Sequence, residues 1–376
     1  MRSIVLFSLC LCMMYGAKAQ DDDTRLTKNI RKSFKVTPTG TIDVTNKYGQ
    51  VIVNTWNKDS VLVNIEITAY GKDDEQVEKL MDRVDFDFDN FGDFLTIETL
   101  LDRKSGFFKE MWNNISDYSK SLLSKNKLNI DYELTIPTTA RFNLENKFGD
   151  VYVNVLAGQT KLIISHGDLK ANIISGSSKI YIGFGKANIK KLNDAYVSLK
   201  GAELDLREGG NIDLESSTSE IEIEDVASVK INSRNDDFRI NNARFIRGRA
   251  SFSNLLIQNL IDHLDVDLNY GECEVYKVSE NFTKINIDGR STDMSISFES
   301  ESYFTLDLFG NEENIVLSKN LNGLNKRVNP EDKDEIFLSG NVGFEKGKLS
   351  QVNIKARNGD VYLKLMESGA ITNGGD

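Results

Sequence analysis

Apolar and polar residues alternate along most of this chain, and a short turn interrupts the alternation at intervals. Alternation with a period of two places one set of side chains on a single face, which is typical of a half-buried β-strand. One module shows the pattern clearly three times, at 42–54, 142–154 and 352–364. Each copy carries one glycine in its turn, at Gly49, Gly149 and Gly359. We predict that these glycines supply the positive φ angle of a tight turn.

The turns recur at a nearly constant interval. They can be placed at Gly149, Gly167, Gly185, Gly201, Ser219, Asp236, Asn254, Gly271, Thr292 and Gly310. Successive turns lie 18, 18, 16, 18, 17, 18, 17, 21 and 18 residues apart. Periods near twenty residues are typical of solenoids, in which each repeat stacks on its neighbours. The sequence therefore predicts an all-β fold, a parallel β-solenoid with coils of about 18 residues.

Stacking is required because one repeat alone could not fold. A coil buries a few large apolar side chains, each contributing about 1.5–3 kcal/mol. Ordering its backbone costs about 1–2 kcal/mol per residue, so contacts and ladders shared with neighbouring coils must make up the difference. The alternative is an antiparallel meander, since Asn358-Gly359 between alternating strands favours a type I′ hairpin. The near-constant interval favours the solenoid over this alternative.

Two segments have helical rather than strand periodicity. Apolar residues recur at helical spacing near 72–84 and 107–123. We therefore expect a β-rich N-terminal region at 34–140 carrying two short helices, the solenoid repeats at 141–366, and a polar tail at 367–376. The apolar stripe of 107–123 must be covered, so we predict that this helix caps the open end of the solenoid.

The first nineteen residues have the features of a secretory signal peptide. Arg2 is followed by an apolar run at 4–15 that is too short to span a bilayer, and Ala17-Lys18-Ala19 has small residues at the positions that a signal peptidase reads. Cleavage before Gln20 would leave a polar leader at 20–33. The sequence predicts an exported protein of the periplasm or cell surface.

The cysteines and the net charge limit the kinds of membrane anchor and binding partner that we expect for this chain. Cys10 and Cys12 follow leucines rather than small residues, so we expect no lipid anchor. Cys273, the remaining cysteine, alternates with acidic residues and is expected to be buried. Removing Arg2 and Lys18 with the signal leaves 44 basic against 57 acidic residues, a formal charge of −13. We expect no nucleic-acid partner, since no basic run is present, and no transmembrane anchor in the mature chain.

One acidic segment, 85–93, looks like a calcium loop. An EF-hand needs glycine at its sixth position and glutamate at its twelfth, where this chain has Asn90 and Thr96. The segment is better interpreted as a strand, with Phe86 and Phe88 inward and the acidic residues outward.

The two histidines do not form an obvious site. His166 lies in a repeat turn, and His263 lies in a polar stretch. Neither has the partners of a metal site or a serine triad in the sequence, and phosphate-binding motifs are missing. We therefore assign no catalytic, cofactor-binding or metal residues, and we expect a non-enzymatic protein without a cofactor.

The repeated modules resemble the bacterial putative adhesin family, exported β-solenoid domains of unknown function. The likeness is carried by Asn46–Gly49, Asn146–Val151, the strand Tyr132–Pro137 leading into Phe142, and the closing Asn358–Val361. It covers most of 34–366 and departs from the family pattern at 107–123.

The resemblance implies an adhesin or structural scaffold of the cell envelope, with an envelope glycan or protein as its partner. Two alternatives remain open from the residues. One is a periplasmic sensor or scaffold for another envelope protein. The other is a carbohydrate-active β-helix enzyme, since paired carboxylates at a set separation can hydrolyse glycosides.

Overall fold

The computed structural model describes residues 24–101, 127–343 and 349–367. The predicted signal peptide, the 107–123 helix and most of the polar tail lie outside these residues. The described part is all-β, as predicted, with one α-helix and one 3₁₀ turn among its strands. The N-terminal elements are β1 Thr24–Lys35, β2 Thr41–Lys47, β3 Val51–Trp56, β4 Ser60–Gly71, α1 Asp74–Met81, β5 Val84–Phe91, β6 Phe94–Leu101 and β7 Leu128–Pro137.

The middle of the chain is an unbroken series of strands. They are β8 Arg141–Lys147, β9 Val151–Leu156, β10 Thr160–Ser165, β11 Leu169–Ile174, β12 Ser178–Gly183, β13 Lys186–Lys200, β14 Glu203–Ser217, β15 Glu220–Arg234, β16 Asp237–Val278 and β17 Lys284–Phe298. The C-terminal elements are β18 Phe304–Asn311, the 3₁₀ turn Glu312–Asn314, β19 Ile315–Leu317, β20 Asn325–Val328, β21 Glu335–Val342, β22 Ser350–Arg357 and β23 Val361–Leu365.

Strands β8 to β17 pair in parallel, each residue facing one that lies a single repeat further along the chain. Leu144 pairs with Leu162, Leu162 with Ile180, and Ile180 with Val197. We call each such repeat a level. In the early repeats a level has two strands separated by a turn, as β10 and β11 are, and these two pair with other levels rather than with each other.

The antiparallel alternative is contradicted in this part of the chain. At Asn358-Gly359, where a hairpin was the rival expectation, β22 and β23 do not pair with each other. Both pair in parallel with β17.

Antiparallel pairing occurs instead near the two ends. Strand β4 pairs with β1 and β7, β5 with β6, and β21 with β18 and β20. Residues 24–33 of the predicted polar leader lie in β1, which pairs with β4 from Thr24 opposite Gly71 to Lys35 opposite Ser60. One prediction is wrong as a result. The turn placed at Gly310 lies inside β18, because the chain leaves the regular step there.

The predicted first helix is found as α1. It begins where the Asp73 carboxylate accepts a hydrogen bond from the Gln76 N–H at 2.8 Å, and Val77 and Leu80 bury its apolar face. The acidic segment is found as strand β5. There Phe86 and Phe88 are half-buried and the aspartates between them are exposed, as predicted.

The inward apolar residues of all levels form one continuous core. Val151 and Val153 are buried in it, as is Cys273. Burial raises the pKa of the Cys273 thiol to about 12, which disfavours the reactive thiolate. In the described ranges, no helix has the length and hydropathy needed to cross a membrane.

Candidate functional site: an interrupted aromatic column

One residue in each level has a positive φ angle, and these residues lie above one another at a single edge of the stack. We call them the turn column. Their φ angles lie between 48° and 63°. The column consists of Tyr48, Phe148, His166, Phe184, Gly201, Thr218, Asn235, Phe252, Tyr270, Ser291 and Asn358.

The regular step of the column is set by backbone hydrogen bonds between levels. The Phe148 N–H donates to the Ser165 carbonyl at 3.0 Å, and the His166 N–H donates to the Gly183 carbonyl at 2.9 Å. The same bond recurs from Phe184 to Lys200 at 3.1 Å. The ladder therefore fixes each column residue directly beside the next.

The prediction that glycine supplies the positive φ is wrong at most levels. At Gly149 and Gly167, for example, the residue just before the glycine has the positive φ angle. The glycine is needed for close approach. A Cβ on Gly149 would stand 2.0 Å from the Gly49 carbonyl oxygen, and one on Gly167 would stand 2.1 Å from that of Gly149. Gly201 differs, since it occupies the column position itself with a φ angle of 54°, and at Gly271 both the glycine (138°) and the preceding Tyr270 (58°) have positive φ angles.

The first four column residues form a stack of parallel rings. Ring centroids are 5.4 Å apart between Tyr48 and Phe148, and 5.1 Å apart between Phe148 and His166 and between His166 and Phe184. The interplanar angles are 9°, 7° and 9°. His166 is thus one ring of a stack, consistent with its assignment to a repeat turn.

A second stack begins four levels later. Phe252 and Tyr270 are parallel to within 7°, with centroids 5.0 Å apart. The levels between the stacks have Gly201, Thr218 and Asn235, which provide no ring. We call these three levels the gap. Phe184 and Phe252, at its two ends, are 57% and 54% exposed.

A shallow groove of ≈ 680 Å³ runs along the gap from Phe184. Lys186 forms an ion pair with Glu203 at 3.4 Å, and Arg239 pairs with Glu220. The hydrogen bond to Glu220 raises the pKa of the Arg239 guanidinium. Along the rim, Lys186 is followed at successive levels by Glu203, Glu220 and Asp237, so carboxylate acceptors outnumber cationic donors. The polar residues lining the groove are Asp168, Lys186, Glu203, Thr218, Ser219, Glu220, Asn235 and Asp237.

A buried carboxylate holds the backbone beneath the gap. Asp236 is buried, and its oxygens accept four hydrogen bonds, from the N–H groups of Ser219 (2.7 Å) and Arg234 (3.1 Å) and the hydroxyls of Ser216 (2.7 Å) and Ser233 (2.6 Å). Four hydrogen bonds to one buried carboxylate tie neighbouring levels together. The floor of the groove is therefore fixed before any ligand arrives.

The remaining candidates from the sequence do not join this site. His263 lies in β16 with its ring 6.4 Å from that of Phe245. Within the described part of the chain, no three His, Cys, Asp or Glu side chains converge as a metal site. The column itself was missed by sequence reasoning, although a signal was present. An aromatic residue or histidine directly precedes the turn glycine at Tyr48, Phe148, His166, Phe184 and Tyr270.

No protein-family profile matches this chain, and no curated protein is significantly similar to it. Among solved structures, it is similar to a putative cell adhesion protein from Clostridium sporogenes, with 11% identity, a TM-score of 0.19, and coverage of 90% of this chain and 100% of the other. It is also similar to a putative lipid binding protein from Parabacteroides distasonis, with 14% identity, a TM-score of 0.30, and coverage of 71% and 95%.

A third similar structure is a putative adhesin from Bacteroides fragilis, with 12% identity, a TM-score of 0.21, and coverage of 90% and 97%. At these identities and TM-scores, fold and function have to be argued from this chain's own geometry.

Proposed function

We propose that this protein is a non-enzymatic, exported binding scaffold of the cell envelope, built as a parallel β-solenoid. Its partner binds in the groove beside the gap. The interruption of the aromatic column carries the proposal. Rings stack on rings at neighbouring levels, but at three successive levels the rings are missing, and the ring of Phe184 is left exposed.

An exposed aromatic face at a polar groove is a typical binding feature. Apolar area that the protein could have covered with another ring stays in contact with water, and a ligand that covers it gains free energy. The parallel ladder and the Asp236 hydrogen bonds hold the groove in one shape. A preformed site of this kind loses little conformational entropy when a ligand binds.

The proposal includes both adhesin and envelope scaffold, since either would use the same surface. The carbohydrate-cleaving alternative is less well supported. Retaining and inverting glycosidases need one carboxyl group that donates a proton. The groove carboxylates Glu203 and Glu220 are instead each engaged in an ion pair, with Lys186 and Arg239 respectively.

The test compares two leucine variants of the mature protein, which begins at Gln20. Phe184→Leu removes the ring at the gap, and Phe148→Leu removes a ring inside the first stack. Binding to purified cell-envelope fragments is measured by co-sedimentation. We expect that the wild type and Phe148→Leu bind and that Phe184→Leu binds at least about tenfold more weakly. Equal binding of all three proteins would contradict a binding site at the gap.

A further inference from the structure

We propose that the groove binds a neutral carbohydrate, with one pyranose ring lying flat on the open face of Phe184 at the level of Gly201. This inference rests on the proposed function and names the class of ligand for that site. Three features of the gap support it: the free space at Gly201, the polar rim, and the charge of the groove.

The space beside Phe184 is the size of one stacked ring. Rings in the column follow one another at 5.0 to 5.4 Å, so the next ring position lies at the level of Gly201. A Cβ placed on Gly201 would meet the Phe184 ring at 3.2 Å and no other described atom outside its chain neighbours within 4 Å. The protein leaves this position open, and a pyranose ring has a thickness suited to it.

The polar rim matches the edge of a sugar. A pyranose ring presents C–H groups on its face and hydroxyl groups around its edge, and each hydroxyl can both donate and accept. A ring over Gly201 would face Phe184 with its C–H groups and direct hydroxyls towards Lys186 and Glu203. An aromatic side chain of a protein partner fits less well, because its apolar edge would meet these charged groups and desolvate them.

Charge favours a neutral sugar over an acidic one. Four carboxylates line the groove, at Asp168, Glu203, Glu220 and Asp237, whereas Lys186 is the cation in its lining. The whole chain has a formal charge of −11. An anionic glycan would meet repulsion from both the groove and the surrounding field.

The height of the gap leaves room for the rest of the glycan. Phe184 and Phe252 are four levels apart, which corresponds to about 19 Å at the usual strand spacing of about 4.8 Å. One stacked pyranose occupies only the first of the three open levels. The linked sugars can therefore leave the groove through its open side.

The test is isothermal titration calorimetry, in which the mature protein is titrated with three neutral probes: cellohexaose, maltohexaose and chitohexaose. Gly201→Phe fills the proposed ring position, and its φ of 54° is one that Phe184 already adopts at 55°. Ser291→Phe is the matched control, since it extends the second stack beyond Tyr270 and leaves the gap open. We expect at least one probe to bind the wild type and Ser291→Phe with a Kd below about 1 mM, and to bind Gly201→Phe at least about tenfold more weakly.

Phe184→Leu, with Phe148→Leu as its control, gives the same comparison if Gly201→Phe does not fold, as judged by circular dichroism. The inference is overturned if none of the three probes binds the wild type, or if Gly201→Phe and Phe184→Leu bind as well as their controls. A result in which envelope fragments bind in a Phe184-dependent way while these sugars do not would overturn the carbohydrate and leave the proposed binding function standing.

Discussion

Phe148 has the positive φ angle that was predicted for Gly149, and the glycine has a different role. Phe148 adopts the left-handed conformation, and Gly149 allows the neighbouring level to approach. A left-handed conformation costs a residue other than glycine about 1–2 kcal/mol. Stacked aromatic pairs contribute about 0.5–1.5 kcal/mol beyond their buried area, which offsets much of this cost. Positive φ and stacking both depend on the register between levels, so neither could be read from the sequence before the register was known.

Gly149→Ala tests the close approach. The added Cβ would lie 2.0 Å from the Gly49 carbonyl oxygen, so the backbone of one level must shift. We expect the free energy of unfolding to fall by about 3 kcal/mol or more, measured by chemical denaturation. Gly183→Ala is the control, since its Cβ would meet nothing closer than the Ser165 hydroxyl at 3.8 Å. Equal stability of the two variants would refute the close-approach explanation.

Asp236→Ala tests the buried carboxylate below the gap. Its four donors, which include the hydroxyls of Ser216 and Ser233, would lose their acceptor in a buried position. We expect a loss of about 2–4 kcal/mol in the free energy of unfolding. Asp237→Ala, at the exposed neighbouring position, should cost less than about 1 kcal/mol. Thermal denaturation measures the stability of both variants. A larger loss of stability in Asp237→Ala than in Asp236→Ala would contradict this role of the buried carboxylate.

At the scale of elements, alternation and helical spacing predicted strands, the α1 helix and the strand at 85–93 correctly. Those patterns are local, because one buried face determines which residues are apolar. Strand β1 and the pairing of β18 with β21 were missed for the opposite reason. Strand β1 is mostly exposed and basic, and its partner β4 is distant in the sequence, so no local pattern marks it.

Val153→Asp tests whether the strands share one core. Val153 is buried between levels, so the substitution puts an unpaired charge into apolar surroundings. We expect a loss of at least about 4 kcal/mol and one cooperative unfolding transition at a lower denaturant concentration. Asn154→Asp, on the exposed side of the same strand, should leave the transition nearly unchanged. If Val153→Asp unfolded the N-terminal levels alone, the result would indicate separate cores.

At the scale of the whole molecule, the turn column gives eleven levels, and ten steps of about 4.8 Å give it a length of about 48 Å. The gap lies near the middle of this length, with a ring stack on either side. The regular interval in the sequence predicted the stacking but could not place the gap, since Gly201, Thr218 and Asn235 keep the same turn geometry as the aromatic residues. The column, the groove and both proposals all depend on parallel stacking with a step of one repeat.

Engineered disulfides measure that register most directly. Lys161 and Lys179 are exposed and face each other in the parallel ladder between β10 and β12. Adjacent strands place such residues about 4.8 Å apart, within the range that a disulfide bridges. The comparison pair is Lys161 with Ile173, which would face each other if β10 and β11 formed an antiparallel hairpin about a three-residue turn at 166–168. The native Cys273 is buried and should not interfere.

Both double-cysteine variants are oxidised mildly and digested with trypsin without reduction. The disulfide is then detected by mass spectrometry as two linked peptides. Parallel stacking predicts a cross-link in Lys161→Cys/Lys179→Cys and none in Lys161→Cys/Ile173→Cys. A cross-link between positions 161 and 173, without one between 161 and 179, would contradict it.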